Sequence, residues 1–153
     1  MNEKERPVRD VAVNRRARRN YEILDTLEAG LALSGTEVKT LRAGRISLEE
    51  AYVKVVGGGL WLVGAHIAEY EQGNQFNHEP TRPRRLLVHR RELRKWHQRA
   101  REKGLTMIPL RVYFRGRWAK VEVALARGRR RHDKRQEMRK REDQKVLRRL
   151  RRR

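Results

Sequence analysis

Cysteine is absent from this chain of 153 residues, so neither a disulfide framework nor a thiolate metal site is open to it. Long apolar runs are missing as well. The longest hydrophobic stretches are strand-sized and interrupted by Arg or Gly, too short to cross a bilayer as a helix. The opening MNEKERPVRD lacks the apolar centre of an export signal, and a cytoplasmic setting with no membrane partner is the expectation. Acidic residues are scarce, with nineteen Asp and Glu against forty Lys and Arg. The resulting +21 would repel itself in isolation and points to a polyanionic partner. Charge alone leaves RNA, DNA, an anionic membrane and an acidic protein open, with nucleic acid first.

A catalytic constellation is also missing. His66, His78, His89, His97 and His132 show no paired metal-ligand spacing of the HExxH kind. Glu28 and Glu37 stand among apolar or basic neighbours, so no acid pair suggests two-metal chemistry. Gly57-Gly58-Gly59 lacks the Lys and Ser/Thr of a phosphate-binding loop and reads as a hairpin turn. His132 beside Asp133 sits in a basic segment with no core to desolvate it. No enzyme activity, metal or cofactor is expected.

What is present is enough for one modest core, at 37% hydrophobic residues, and a strongly uneven distribution of charge. From Arg127 to Arg153 fifteen Lys and Arg face four Asp and Glu, a net +11 that leaves +10 for the preceding 126 residues. This segment has few apolar residues, chiefly Met138, Val146, Leu147 and Leu150, and cannot bury enough surface to fold by itself. It has no Pro and many good helix formers, with Glu137 and Arg141 as an i, i+4 pair and Val146, Leu147 and Leu150 on one helical side. The reading is a flexible N-terminus over 1–13, a domain over 14–126, and a basic tail over 127–153, disordered when free and helical when bound.

Within the domain the order of elements is visible. Tyr21, Ile23 and Leu27 to Leu33 suggest a strand region broken at Gly30. Ser34 three residues before Glu37 forms a capping-box pattern, with Val38 and Leu41 giving a short helical face that Gly44 ends. Residues 51–56 and 60–67 flank the triple glycine as a hairpin. After an Asn-, Pro- and Arg-containing loop, Leu93, Trp96 and Ala100 recur at helical spacing until Gly104. Residues 107–114 and 118–125 form a second hairpin around Arg115-Gly116-Arg117, with Pro109 at an edge or bulge. Strands with a helix inserted before the final hairpin fit a small closed barrel of the oligonucleotide-binding type; an open α+β sheet is the alternative. Tyr113, Phe114 and Trp118 lie in strand patterns and Trp96 on the apolar helical face, so packing explains them. Base stacking is a secondary reading, strongest for Tyr21 beside Arg18, Arg19 and Asn20.

Particular strings say more. Asn14-Arg-Arg-Ala-Arg18 with Tyr21, then Glu28-Ala-Gly30, Gly35-Thr-Glu-Val-Lys39 and Leu41-Arg-Ala-Gly44 follow one another. Later come Arg85-Leu-Leu87, Glu92-Leu93, Ile108-Pro-Leu110, Ala126-Arg-Gly128 and His132-Asp-Lys-Arg135. In this order they resemble the motifs of the SsrA-binding protein (SmpB) family. Arg19 and Asp143 depart from its pattern, standing where some relatives carry His and an aromatic.

The resemblance implies a mainly β fold, a small antiparallel barrel of the oligonucleotide-binding type with flanking helices. It also implies bacterial trans-translation. The protein would bind the tRNA-like end of transfer-messenger RNA and, as a monomer in that complex, enter the empty A site of a stalled ribosome in place of an anticodon arm. Carried over position by position, the RNA-facing set is Asn14, Arg15, Glu28, Leu87 and Lys120. The tail set, directed at the decoding centre and the empty mRNA channel, is Arg127, Gly128, Arg129, Arg130, His132, Asp133, Lys134 and Arg135.

Overall fold

The structure, a computed structural model, describes residues 5–73, 76–129 and 132–151, with side chains left out over 132–138. Two glycines set the first hairpin. Gly57 and Gly58 adopt φ of 56° and 75°, a conformation that β-carbons oppose. The two-residue turn thus formed matches the twist of paired strands. It joins β4 (Tyr52–Val56) to β5 (Gly59–Val63), with Val56 opposite Gly59. A second two-residue turn at Gly116-Arg117 joins β8 (Thr106–Arg115) to β9 (Trp118–Gly128).

The remaining long strand is β2 (Tyr21–Leu31), whose Leu27, Ala29 and Leu31 point inward by simple alternation. Gly30 does not break it. That residue pairs with Leu87 of β7 (Arg84–Leu87) on one side and Lys120 of β9 on the other, and partners on both edges hold the strand through it.

These strands close on themselves. The pairing runs β8, β4, β5, β7, β2, β9 and back to β8, the closed barrel expected from the order of elements. One edge of β8 serves two partners: Met107 pairs with Val53 of β4, and Arg111 to Arg115 pair with β1 (Val8–Val13). Residues 8–13, read from the sequence as flexible, are therefore an ordered strand. Their charged Arg9 and Asp10 hide the alternation, and β8 supplies the pairing. Ile46–Ser47 (β3) and His66–Ile67 (β6) make a small separate ladder.

Inside lie Leu27, Ala29, Leu62, Leu86, Val112, Phe114, Val121, Val123 and Leu125. Two helices seal the barrel. Helix α2 (Gly35–Arg42) contributes Leu41 and has the capping box read from Ser34 and Glu37. Helix α3 (Arg90–Lys103) contributes Trp96 and ends at Gly104, as the periodicity indicates. The short α1 (Ala17–Asn20) packs Ala17 with Tyr21, Ile108, Leu110, Ala124 and Ala126 in a second cluster. Tyr21, only 8% exposed, is thus a packing residue rather than a stacking platform. Pro109 marks a bulge in β8, where the register with β9 slips before Arg111.

Glu37 does more than cap its helix. It is fully buried and accepts from Arg84 Nε at 2.6 Å and Arg82 Nη2 at 2.5 Å. Arg84, equally buried, also donates to the carbonyls of Ala65 and Pro80 at 2.8 and 3.0 Å. Burial pushes the Glu37 carboxyl up, but the donations from Arg82, the Ser34 N–H and Arg84 outweigh it and hold it at about 2. Through Arg82 and Arg84, Glu37 ties α2 to the loop preceding β7 and to the first residue of that strand.

Helix α4 (His132–Arg151) carries the tail. One expectation changes here. The sheet continues to Gly128, two residues past the expected boundary, because Arg127 and Gly128 pair with Glu22 and Tyr21. The helix expected in the tail is present, and it lies against the barrel with Val146 buried beside Tyr52 and Val63.

Candidate nucleic-acid interface

Register places five residues in one row across the outer face. Leu87 of β7 faces Gly30 of β2, Gly30 faces Lys120 of β9, Lys120 faces Tyr113 of β8, and Tyr113 faces Asp10 of β1. One step along, Glu28, Glu122, Arg111 and Val13 form the adjoining row. Paired residues share a face. Three of the sequence-derived residues, Glu28, Leu87 and Lys120, thus meet on neighbouring strands.

Gly30 has a positional reason to lack a side chain. A β-carbon there would stand 3.3 Å from the Leu87 Cβ. Leu87 leans over this gap and is 56% exposed, an aliphatic surface that no core requires.

Glu28 is held by its neighbours. Its Oε2 accepts from the Tyr113 hydroxyl, and from Arg115 Nε at 3.1 Å and Nη2 at 2.9 Å. Burial pushes the carboxyl up, yet Tyr113, Arg115 and the charge of Lys120 leave it below the ordinary value. It is ionised at neutral pH. Burial and the Glu28 carboxylate push the Tyr113 phenol up, so that ring stays neutral and donates. Arg111 lies 4.2 Å from the Tyr113 ring centroid and bonds Asp10 at 2.7 Å. The patch is a preorganised set of ion pairs, Arg115 on Glu28 and Arg111 between Asp10 and Glu122.

Asn14 and Arg15 continue from Val13, at the edge of the second row. Asn14 is already engaged: its N–H donates to Leu110 O at 2.7 Å and its side-chain amide to Pro109 O at 2.9 Å. It therefore anchors the end of β1 to the β8 bulge. Arg15 is exposed.

The tail set divides. Arg127 and Gly128 belong to β9, with Arg127 Nη1 3.9 Å from Glu22. Arg129 donates its N–H to Asn20 O at 2.9 Å. Arg130 lies outside the described residues, as do the side chains of His132, Asp133, Lys134 and Arg135, whose backbone begins α4. Sequence reasoning passed over Arg111 and Arg115 and took Tyr113 first as packing, although the i, i+2 spacing of the three in β8 already put them on one face. It read Trp118 as a packing residue first and a stacking residue second, whereas the side chain is 48% exposed with Arg117 5.0 Å from its ring.

Among the described residues no group of three His, Asp or Glu is placed to hold a metal, and no helix is long and apolar enough to cross a membrane.

The chain as a whole is similar to known proteins in sequence and in structure. Residues 11–153 match the profile of the family described as SmpB protein. The SsrA-binding protein of Moorella thermoacetica is 54% identical over 93% of this chain and 92% of its own. That of Nostoc punctiforme is 46% identical over 96% of each, and that of Carboxydothermus hydrogenoformans 52% identical over 86% and 89%. A chain from the solved structure "tmRNA-SmpB: a journey to the center of the bacterial ribosome" superposes with a TM-score of 0.66 at 45% identity, covering 90% of this chain and 94% of that one.

Proposed function

The chain belongs to the SmpB family, and on that premise we propose that it binds transfer-messenger RNA and brings it to stalled ribosomes for trans-translation. The observation that carries the assignment of surfaces is the row through Leu87, Gly30, Lys120 and Tyr113 beside Glu28. Lys120, Arg15 and Arg115 neutralise phosphates, which positions the RNA. Leu87 offers an apolar surface to an unstacked base, and Gly30 lets the RNA approach the sheet closely. Glu28 fixes Arg115 through its paired bonds and accepts from base amino groups or 2′-hydroxyls. Asn14 presents its amide from a position locked against the β8 bulge.

The tail supplies the second surface. Arg127 and Arg129 stand at the barrel's edge, and Arg130, His132, Asp133, Lys134 and Arg135 carry the chain into α4. Directed into the decoding centre, these residues engage small-subunit RNA, and α4 enters the mRNA channel only where mRNA is missing. The barrel takes the place of an anticodon arm. The protein acts by binding, without a catalytic step of its own, as a monomer on its RNA in the cytoplasm.

Ending the chain at Gly128 tests the division of labour. Transfer-messenger RNA affinity stays within a few-fold of the full chain while tagging of stalled peptides is lost. A fall in affinity as large as the fall in tagging counts against two surfaces. On the barrel, Lys120→Ala reduces the log–log salt slope by about one if Lys120 holds one phosphate. An unchanged slope removes Lys120 from the interface.

A further inference from the structure

Past the row of Leu87, Gly30, Lys120 and Tyr113 the outer face goes on, and the next row is built differently. Side chains two positions apart on a strand share a face. Arg85 therefore stands beside Leu87 on β7 and Trp118 beside Lys120 on β9, and both are exposed. Between them runs β2 with Gly30, followed by Ala32, whose N–H donates to Arg85 O at 3.0 Å. Nothing larger than a methyl rises there, so β2 floors a trough walled by β7 and β9, two strand spacings or about 10 Å across. Glu28 stands at one end. At the other the trough opens into a shallow notch of about 360 Å³ lined by Ala32, Leu33, Ser34, Trp61, Arg82 and Arg85.

The walls carry the chemistry of a nucleotide chain. Trp118 is 48% exposed, on the opposite face from the inward Ala119 and Val121, and Arg117 lies 5.0 Å from its ring. A flat indole with a cation beside it accepts the face of any base. Arg111 and Arg115 are neutralised by Asp10 and Glu28, but Arg85 and Arg117 meet no carboxylate among the described residues. Arg85 is also placed by its surroundings. It pairs with Trp61 of β5, and both lean over Gly59, where a β-carbon would stand 3.2 Å from Trp61 Nε1 and 3.5 Å from Arg85 Cζ. Cations on both rims with an aromatic ring between them suit a chain that alternates phosphate and base. An acidic peptide would satisfy the arginines and leave the ring unused, and a paired helix would keep its bases away from it.

We propose that this trough takes an unpaired stretch of RNA, with one base stacked on Trp118 and the neighbouring phosphates on Arg85 and Arg117. It widens the RNA face by one row. The identity of the RNA rests on the function proposed above; the stacking rests on the trough alone.

Filter binding to the full-length chain tests the site, with transfer-messenger RNA and, separately, an unstructured oligouridylate. Trp118→Ala should weaken both by about fivefold or more and leave the log–log salt slope unchanged, because a stacked ring holds no phosphate. Trp118→Phe should recover most of the affinity and Trp118→Leu should not. Arg85→Ala should lower the slope by about one. A loss below twofold in Trp118→Ala, or equal recovery by Phe and Leu, overturns the stacking. If binding of polyglutamate falls as much in Trp118→Ala as binding of oligouridylate, the ring answers to charge and the occupant is wrong. An oligomer made entirely of 4-thiouridine needs no variant: on irradiation of the unaltered chain its cross-link should map to the tryptic peptide 118–120, and cross-links confined elsewhere overturn the proposal. Oligouridylate held through Trp118 by a chain that does not bind transfer-messenger RNA sinks the functional reading and keeps the trough. Transfer-messenger RNA bound equally by Trp118→Ala does the reverse.

Discussion

At the residue scale, Glu37 makes stability depend on acid. Its carboxyl has an ordinary value of 4.5 and is held at about 2 in the fold by Arg82, the Ser34 N–H and Arg84, against the pull of burial. A depressed folded value stabilises above the unfolded one, so this contribution is complete above about pH 4.5 and disappears as pH falls toward 2. Glu37→Gln leaves Arg84 buried without its counter-charge and should cost about 3–5 kcal/mol at pH 7. Urea unfolding across that pH range should show the gap between variant and parent closing as acid is added. Leu87 behaves in the opposite way. Exposed over the gap at Gly30, its replacement by Ala should move stability by no more than about 0.5 kcal/mol while lowering transfer-messenger RNA affinity several-fold in an anisotropy titration. Equal losses in both would make it a packing residue. Of these two residues the sequence showed Leu87 by its motif, whereas Glu37 looked isolated. Its partners stand 45 and 47 positions away, and no local pattern announces a pair across such a distance.

At the element scale, local chemistry was the better guide. Capping at Ser34, the spacing of Leu93, Trp96 and Ala100, and the glycine turns each depend on neighbours a few residues apart, and all appear where the sequence puts them. Replacing Gly57 and Gly58 by Ala should therefore cost about 1–2 kcal/mol per position, measured by denaturant midpoint with the m-value unchanged. Elements defined by distant partners were harder to see. Strand β1 has a charged, irregular string and exists because β8, about a hundred residues later, pairs with it. Gly30 looked like a break and is instead bracketed by β7 and β9. The tail's apolar side was legible in part: Val146 and Leu150 pack on the barrel, but Leu147 on the same expected side is 38% exposed, because the barrel offers one narrow pocket.

At the scale of the whole molecule, the +21 is divided between a barrel and a helix that lies on it. Affinity for transfer-messenger RNA should fall by orders of magnitude between about 50 and 200 mM salt, a drop that filter binding at several salt concentrations reads directly. A flat response would mean that phosphates carry little of the binding. The motif order pointed to the barrel's closure, but the rows across its outer face needed the register, which no single strand encodes. That closure also orders events in time. Strand β9 pairs with β8 as a hairpin and also supplies the second edge of β2 through to Gly128, which completes the ring. During synthesis, β2 waits with an open edge for about ninety residues, and no barrel exists until Gly128 has emerged from the ribosome that makes it. Nascent chains arrested before Trp118 should be readily cut by protease, and the released full-length chain resistant. The helix proposed to sense an interrupted message is thus the one part of this protein that an interruption late in its own message would remove while sparing the barrel.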